Sequence, residues 1–313
     1  MRPVVAVAKR QLRAAAVVSR LAETVGYNVA SVLLAVGLGV RVGGVPRGPT
    51  LWAAAGYAAA TLVAKFGASV ADAIHDRAVD AANPEKSRIA AAVETLGRRR
   101  AWGLLCGYLL LALALYAGVA AVAGAWVFAA GAAVVAFGVA YSYPPRFKER
   151  GVWNHVVTTG VDAGLLVLPV AVLIAGRVAP AIAVAVALVA CYSFGYHVLH
   201  QAADAYFDRQ AGVETFATAI GVDRSVTVAA VATGAATGFA LALGYAVAAL
   251  ALVGLTAFYV ALYDAVREAS PRRAAREVAA RFSVAWIATV ANGALAVAVW
   301  RHALGTPMVG ALP

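Results

Sequence analysis

Nine stretches of about 20 predominantly apolar residues dominate the chain, and each is long enough to cross a bilayer as a helix. They fall at roughly 24–44, 50–71, 101–122, 124–142, 155–175, 178–199, 224–243, 245–265 and 283–303. A spanning segment must satisfy its own backbone hydrogen bonds, so runs of this length are expected to be helical. The expectation is an all-α polytopic membrane protein, with residues 1–313 forming one nine-helix bundle. Composition agrees: 63% of residues are hydrophobic and 13% charged, where soluble domains carry about 25% charged residues. A soluble domain, a disordered chain and a disulfide scaffold are all excluded. Cys106 and Cys191 sit inside apolar runs, with no CxxC spacing, and read as small buried hydrophobes.

The net charge of +11 could suggest nucleic acid, but the placement of the charges points to the bilayer. Of the 26 Lys and Arg residues, 21 fall in the N-terminal segment and in the segments after spans 2, 4, 6 and 8. Only 4 fall on the other side (Arg41, Arg47, Arg177 and Arg301), and Lys65 lies within span 2. By the positive-inside rule the N-terminus is cytoplasmic. Residues 1–23 alternate basic and apolar positions and are expected to form an interfacial amphipathic helix. They lack the uninterrupted apolar core of a signal peptide. The segment from Arg267 to Arg281 reads as a second amphipathic element, suited to anionic lipid. No acidic residue falls in a loop on the far side, so the chemistry is expected at the cytoplasmic face.

Two acidic motifs stand out, at 72–88 and 204–215. Asp72, Asp76 and Asp80 are spaced i, i+4, i+8, so on a continuous helix they form one row. Like charges in a row repel and call for a counter-charge. Hard oxygen donors favour Mg²⁺, which bridges carboxylates to phosphate. Asp204 and Asp208 repeat the pattern four spans later, and both segments begin Asp-Ala-x-x-Asp-Arg. A duplicated bundle with one acidic motif per half would hold Mg²⁺ ions and a diphosphate between the two. At the end of span 4, Pro144 and Pro145 stop the helix, and Arg146, Lys148 and Arg150 follow. With Lys86 and Arg88 these cations suit a leaving diphosphate.

On these residues the chain resembles the UbiA superfamily of intramembrane prenyltransferases. Asp72, Asp76 and Asp80 are similar to its first motif, and the run from Asn83 through Pro84, Glu85, Lys86, Ser87 and Arg88 is similar to the loop that follows. Tyr141 to Pro145 match a Tyr-Ser-x-Pro-Pro element, and Asp204, Asp208, Ala211, Gly212 and Thr215 match the second motif. The first position is more often Asn in the family, and the usual Arg-Pro pair is absent. The resemblance implies Mg²⁺-dependent transfer of an isoprenoid group from a prenyl diphosphate to a lipophilic acceptor. That acceptor is an aromatic or quinone precursor, a glycerol phosphate lipid or a carotenoid. It implies Asp72, Asp76, Asp80, Asp204 and Asp208 as metal ligands and Asp76, Asp208 and Tyr141 as catalytic residues. Lys86, Arg88, Arg146, Lys148 and Arg209 are then the residues that hold the prenyl diphosphate.

Other readings remain open at this stage. A terpene cyclase of the same fold needs no external acceptor. A cation-coupled transporter would use the acids as a pathway, although its site belongs at the midplane. His197, His200 and Asp204 have the spacing of a transition-metal face, but five scattered histidines are too few for a di-iron oxidase. Asp162 is an acid within span 5, a functional candidate by position, or a partner for Thr158 or Thr159 one turn earlier.

Overall fold

A computed structural model describes residues 2–83 and 86–305, and among them the chain is helical with no strand. Helix α1 (Arg2–Val18) precedes the first long apolar helices, α2 (Leu21–Gly43) and α3 (Gly48–His75). Two short helices, α4 (Arg77–Ala82) and α5 (Ser87–Leu96), lead into α6 (Arg98–Ala123) and α7 (Ala125–Ser142). After a 3-10 turn at Phe147–Glu149, α8 (Val152–Thr159) runs through a π-helical stretch at Gly160–Val167 into α9 (Leu168–Ala175). The chain continues through α10 (Pro180–Gln210), α11 (Phe216–Ile220), α12 (Val222–Ala242), α13 (Ala246–Val266), α14 (Pro271–Arg281) and α15 (Val284–Ala303).

Eight helical runs among the described residues are long and apolar enough to span a membrane, counting Val152–Ala175 as one. A ninth span is reached with α14 and α15, which meet at 48°. The nine apolar runs of the sequence therefore correspond to observed helices. The chain is an integral membrane protein.

Small residues let the spans approach closely. A Cβ on Gly39 of α2 would lie 2.6 Å from Ile174 Cβ, and one on Gly43 would lie 2.8 Å from Ala175 Cα. This glycine pair, one turn apart, seats α9 against α2.

Helix α1 buries Ala14 and Val18 in a small cluster with Ile89 and Val93 of α5, while Val5, Val7 and Leu12 stay exposed. It ends at a turn in which Arg20 adopts a left-handed backbone, with φ 49° and ψ 38°. The Arg267–Arg281 block contains α14, as expected for an amphipathic element.

Candidate functional site: two acidic rows around one cavity

The first acidic motif sits where α3 ends. The helix breaks at Asp76 (φ −88°, ψ 6°) and resumes as α4. The Asp76 amide still reaches the Asp72 carbonyl, and the Asp80 amide the Asp76 carbonyl, each at 2.8 Å. The three carboxylates thus keep their helical spacing, but they do not stand on one straight helix as the sequence spacing suggested.

Asp72 accepts from Arg20 Nη2 at 2.9 Å, Ser142 Oγ at 2.9 Å and Lys148 Nζ at 3.4 Å. Asp76 is paired with Lys148 and lies 2.9 Å from His75 Nδ1. Asp80 is 4% exposed, and its Oδ2 has no hydrogen-bond partner among the described residues. Burial, with Asp72 adding to it, pushes the Asp76 carboxyl up, and burial pushes Asp80 up to about 6. The counter-charges that answer this row are side chains, Lys148 and Arg20. Burial works against the Arg20 charge, but Asp72, Glu23 and Asp80 together outweigh it and raise its pKa.

The second motif occupies the last turns of α10. Asp204 Oδ2 accepts from Lys86 Nζ at 2.7 Å, so the loop after the first motif reaches across to the second. Burial opposes the Lys86 charge, and Asp204, by charge and hydrogen bond, together with Asp80 more than offsets it, raising its pKa. Asp208 has no ion-pair partner among the described residues. The Ala-Gly-x-x-Thr sequence that follows has a local structural explanation. Gly212 takes φ 72°, which L side chains rarely adopt, and lets the helix stop. Thr215 then caps α11, its hydroxyl accepting from the Thr218 amide at 3.2 Å.

One carboxylate of each row, Asp72 and Asp204, lines one cavity of about 520 Å³. Asp72, Asp204, Lys86, Arg20 and Tyr141 line one end, and Val134, Phe137, Val157, Val161 and Phe282 contribute apolar wall. An adjoining recess of about 150 Å³ adds Asp76, Asp208, Arg146 and Lys148. Arg20 and Arg146 are the only described non-glycine residues with positive φ, and both line this recess. Strained backbone of this kind concentrates at functional sites.

A second polar layer lies deeper in the bundle. Lys65 is seven residues before Asp72 on α3 and His197 seven before Asp204 on α10, which places each about 10 Å below its acid. Lys65 Nζ donates to Asp162 Oδ1 at 2.5 Å and Asn28 Oδ1 at 2.7 Å. Asp162 Oδ2 accepts from Tyr196 at 2.8 Å and Ser193 at 3.3 Å, and lies 3.0 Å from His197 Nε2. The threonines that were one option as partners of Asp162 do not hold it. Thr158 donates to the Asn154 carbonyl at 3.0 Å, and Thr159 Oγ1 is buried without a partner among the described residues. The π-helical stretch carries Asp162, and such stretches recur at functional positions.

The structure therefore gathers Asp72, Asp76, Asp204, Asp208, Lys86, Lys148, Arg146 and Tyr141 around one space, with Asp80 buried one turn beyond Asp76. Arg88 lines the larger cavity and pairs with Glu23. Arg209 stands apart: it donates to the Thr218 carbonyl and lines a separate hollow with Asp223 and Arg267. Pro84 and Glu85 lie outside the described residues. Tyr192 and Tyr196 are buried and hydrogen-bonded, to Asn292 and Asp162 respectively, and Trp153 is exposed. Sequence reasoning missed Arg20, Ser142 and His75 at the acids and Lys65 as the partner of Asp162. For Lys65 the signal was present, since a lone cation and a lone acid in two spans are complementary. Among the described residues, no three His, Cys, Asp or Glu side chains converge as a metal cage.

No curated protein matches the chain in sequence. Among solved structures, the fold is similar to a UbiA homolog from Archaeoglobus fulgidus bound to GPP and Mg²⁺. Identity there is 17% and the TM-score 0.64, covering 92% of this chain and 99% of that one. A digeranylgeranylglyceryl phosphate synthase is similar at 12% identity and TM-score 0.60, over 93% of this chain and 99% of that one. The apo UbiA homolog from Aeropyrum pernix K1 follows at 17% and 0.57, over 83% and 94%. These likenesses establish the fold. The UbiA prenyltransferase family model matches residues 29–290, and the chain belongs to that family.

Proposed function

We propose that the chain is a Mg²⁺-dependent intramembrane prenyltransferase that moves an isoprenoid group from a prenyl diphosphate to a lipophilic acceptor. The observation that carries this reading is the pairing of two acidic rows across one cavity with an apolar wall. The donor set suits Mg²⁺. The carboxylates are hard ligands, and among the described residues Asp80 Oδ2 is buried without a hydrogen-bond partner and Asp208 has no ion pair. The absence of a three-residue cage among the described residues fits as well, because Mg²⁺ usually takes one or two carboxylates together with phosphate oxygens.

Asp72, Asp76 and Asp80 on one side and Asp204 and Asp208 on the other would hold the metal. When bound, it offsets the charge that builds on the departing diphosphate. Arg20, Lys86, Lys148 and Arg146 bind the diphosphate oxygens directly. Val134, Phe137, Val157 and Val161 receive the prenyl chain and keep water from the allylic cation. Tyr141, at the junction of cavity and recess, presents an aromatic ring where that cation forms. The neighbour solved with GPP and Mg²⁺ supports a prenyl diphosphate as the donor class. The excess of Lys and Arg at the acidic end supports a cytoplasmic site and a cytoplasmic N-terminus.

The test is turnover of labelled geranylgeranyl diphosphate by the purified protein with Mg²⁺ and a panel of acceptors of the three classes. Metal-dependent diphosphate release with a prenylated lipid product is expected. A cyclic hydrocarbon formed without acceptor would make the protein a cyclase instead.

A further inference from the structure

Lys148 and Lys86 occupy the acidic rows where a metal's charge would act. Lys148 Nζ is paired with Asp76 and lies 3.4 Å from Asp72, with its side chain only 11% exposed. Lys86 Nζ lies 2.7 Å from Asp204, whose side chain is 13% exposed. Both lysines come from connecting segments, Lys148 from the 3-10 turn after Pro145 and Lys86 from the turn before α5. Their four-carbon stems can turn to a new partner without moving a helix.

We propose that these two lysines are exchangeable counter-ions. They neutralise the acidic rows in the metal-free protein, and they pass to the diphosphate when metal and diphosphate bind together. The proposal rests on the functional reading above and concerns the order in which that site fills. A divalent ion arriving alone must displace a largely buried ammonium and leave it unpaired, which is costly. When the diphosphate arrives with the metal, the displaced ammonium gains phosphate oxygens, and the site stays close to neutral. Metal alone should therefore bind weakly, and metal with diphosphate tightly. A prenyl diphosphate would then be admitted as its metal complex. This accounts for the lysine at each row and for the lack of a ready-made metal cage among the described residues.

The experiment measures two affinities on the full chain in detergent. Mn²⁺ binding without any diphosphate is read by electron paramagnetic resonance. Binding of labelled inorganic diphosphate is read by equilibrium dialysis at saturating Mg²⁺. Lys148→Met should bind Mn²⁺ alone about tenfold more tightly and Mg²⁺-diphosphate about tenfold more weakly than the parent. Lys86→Met should show the same opposed pair of shifts at the other row, and stands in if Lys148→Met does not fold. A purely structural lysine would weaken both affinities, and a lysine that serves the diphosphate alone would leave the Mn²⁺ affinity unchanged. Either result overturns the exchange while leaving the metal-site reading intact. A parent protein that binds neither Mn²⁺ nor Mg²⁺-diphosphate overturns the functional reading itself.

Discussion

The cavity holds two polar layers, and they are satisfied to different degrees. In the deep layer a single carboxylate, Asp162, is surrounded by Lys65, Ser193, Tyr196 and His197, so both its oxygens are engaged. At the mouth, five carboxylates share Arg20, Lys86, Lys148 and His75, and Asp80 Oδ2 has no hydrogen-bond partner among the described residues. A saturated buried network rigidifies what surrounds it. An under-satisfied one is receptive to further cations. The deep layer therefore reads as a pin joining α2, α3, the π-helical stretch and α10, and the mouth as the place where ligands arrive.

The sharpest way to break this comparison is to remove an acid from the mouth. Asp76→Ala and Asp208→Ala should each lower Mg²⁺-dependent diphosphate release at least a thousandfold, about 4 kcal/mol of transition-state stabilisation. Their melting temperatures in detergent should stay close to the parent's. If either variant keeps full turnover, the mouth is not a two-sided metal site.

The deep layer should respond in the opposite way. Lys65→Met leaves Asp162 charged and without its cation inside a span, a loss of about 3–5 kcal/mol. Thermal denaturation in detergent measures it. Adding Asp162→Asn to Lys65→Met should recover part of the loss, because the stranded charge is gone. A single variant that melts with the parent would show that the pair pins nothing. Tyr196→Phe is the milder version: it removes one donor to Asp162 and should cost about 1–2 kcal/mol in the same assay.

The two layers also differ in how readable they were. Apolar runs and i, i+4 acids are one-dimensional patterns, so the spans and the two acidic rows could be seen in the sequence. The partners of the acids could not. Lys86 and Lys148 come from connecting segments, and their reach depends on how α3, α7 and α10 pack. Arg20 looked like one more interfacial cation because nothing local marks a left-handed turn at a non-glycine residue. Thr158 and Thr159 were one option for Asp162 because they lie one turn away in an α-helical register. The π-helical stretch and the cation on α3 settle its partners instead.

Arg209 separates repetition from chemistry, and it carries the smallest expected effect. The family resemblance implied Arg209 as part of the diphosphate site, and Arg77 holds the equivalent place in the first Asp-Ala-x-x-Asp-Arg. The structure turns both arginines outward: Arg77 pairs with Glu94, and Arg209 bonds the Thr218 carbonyl. Each ties the segment after its acidic row back to the bundle, one through an acid on α5 and the other through a carbonyl on α11. An exposed contact of this kind contributes little. Arg209→Ala should shift stability by no more than about 0.5 kcal/mol and leave diphosphate release within about twofold of the parent. A tenfold drop in release with unchanged melting would place Arg209 back at the mouth. The repeated arginine would then belong to the chemistry as well as to the helix ends.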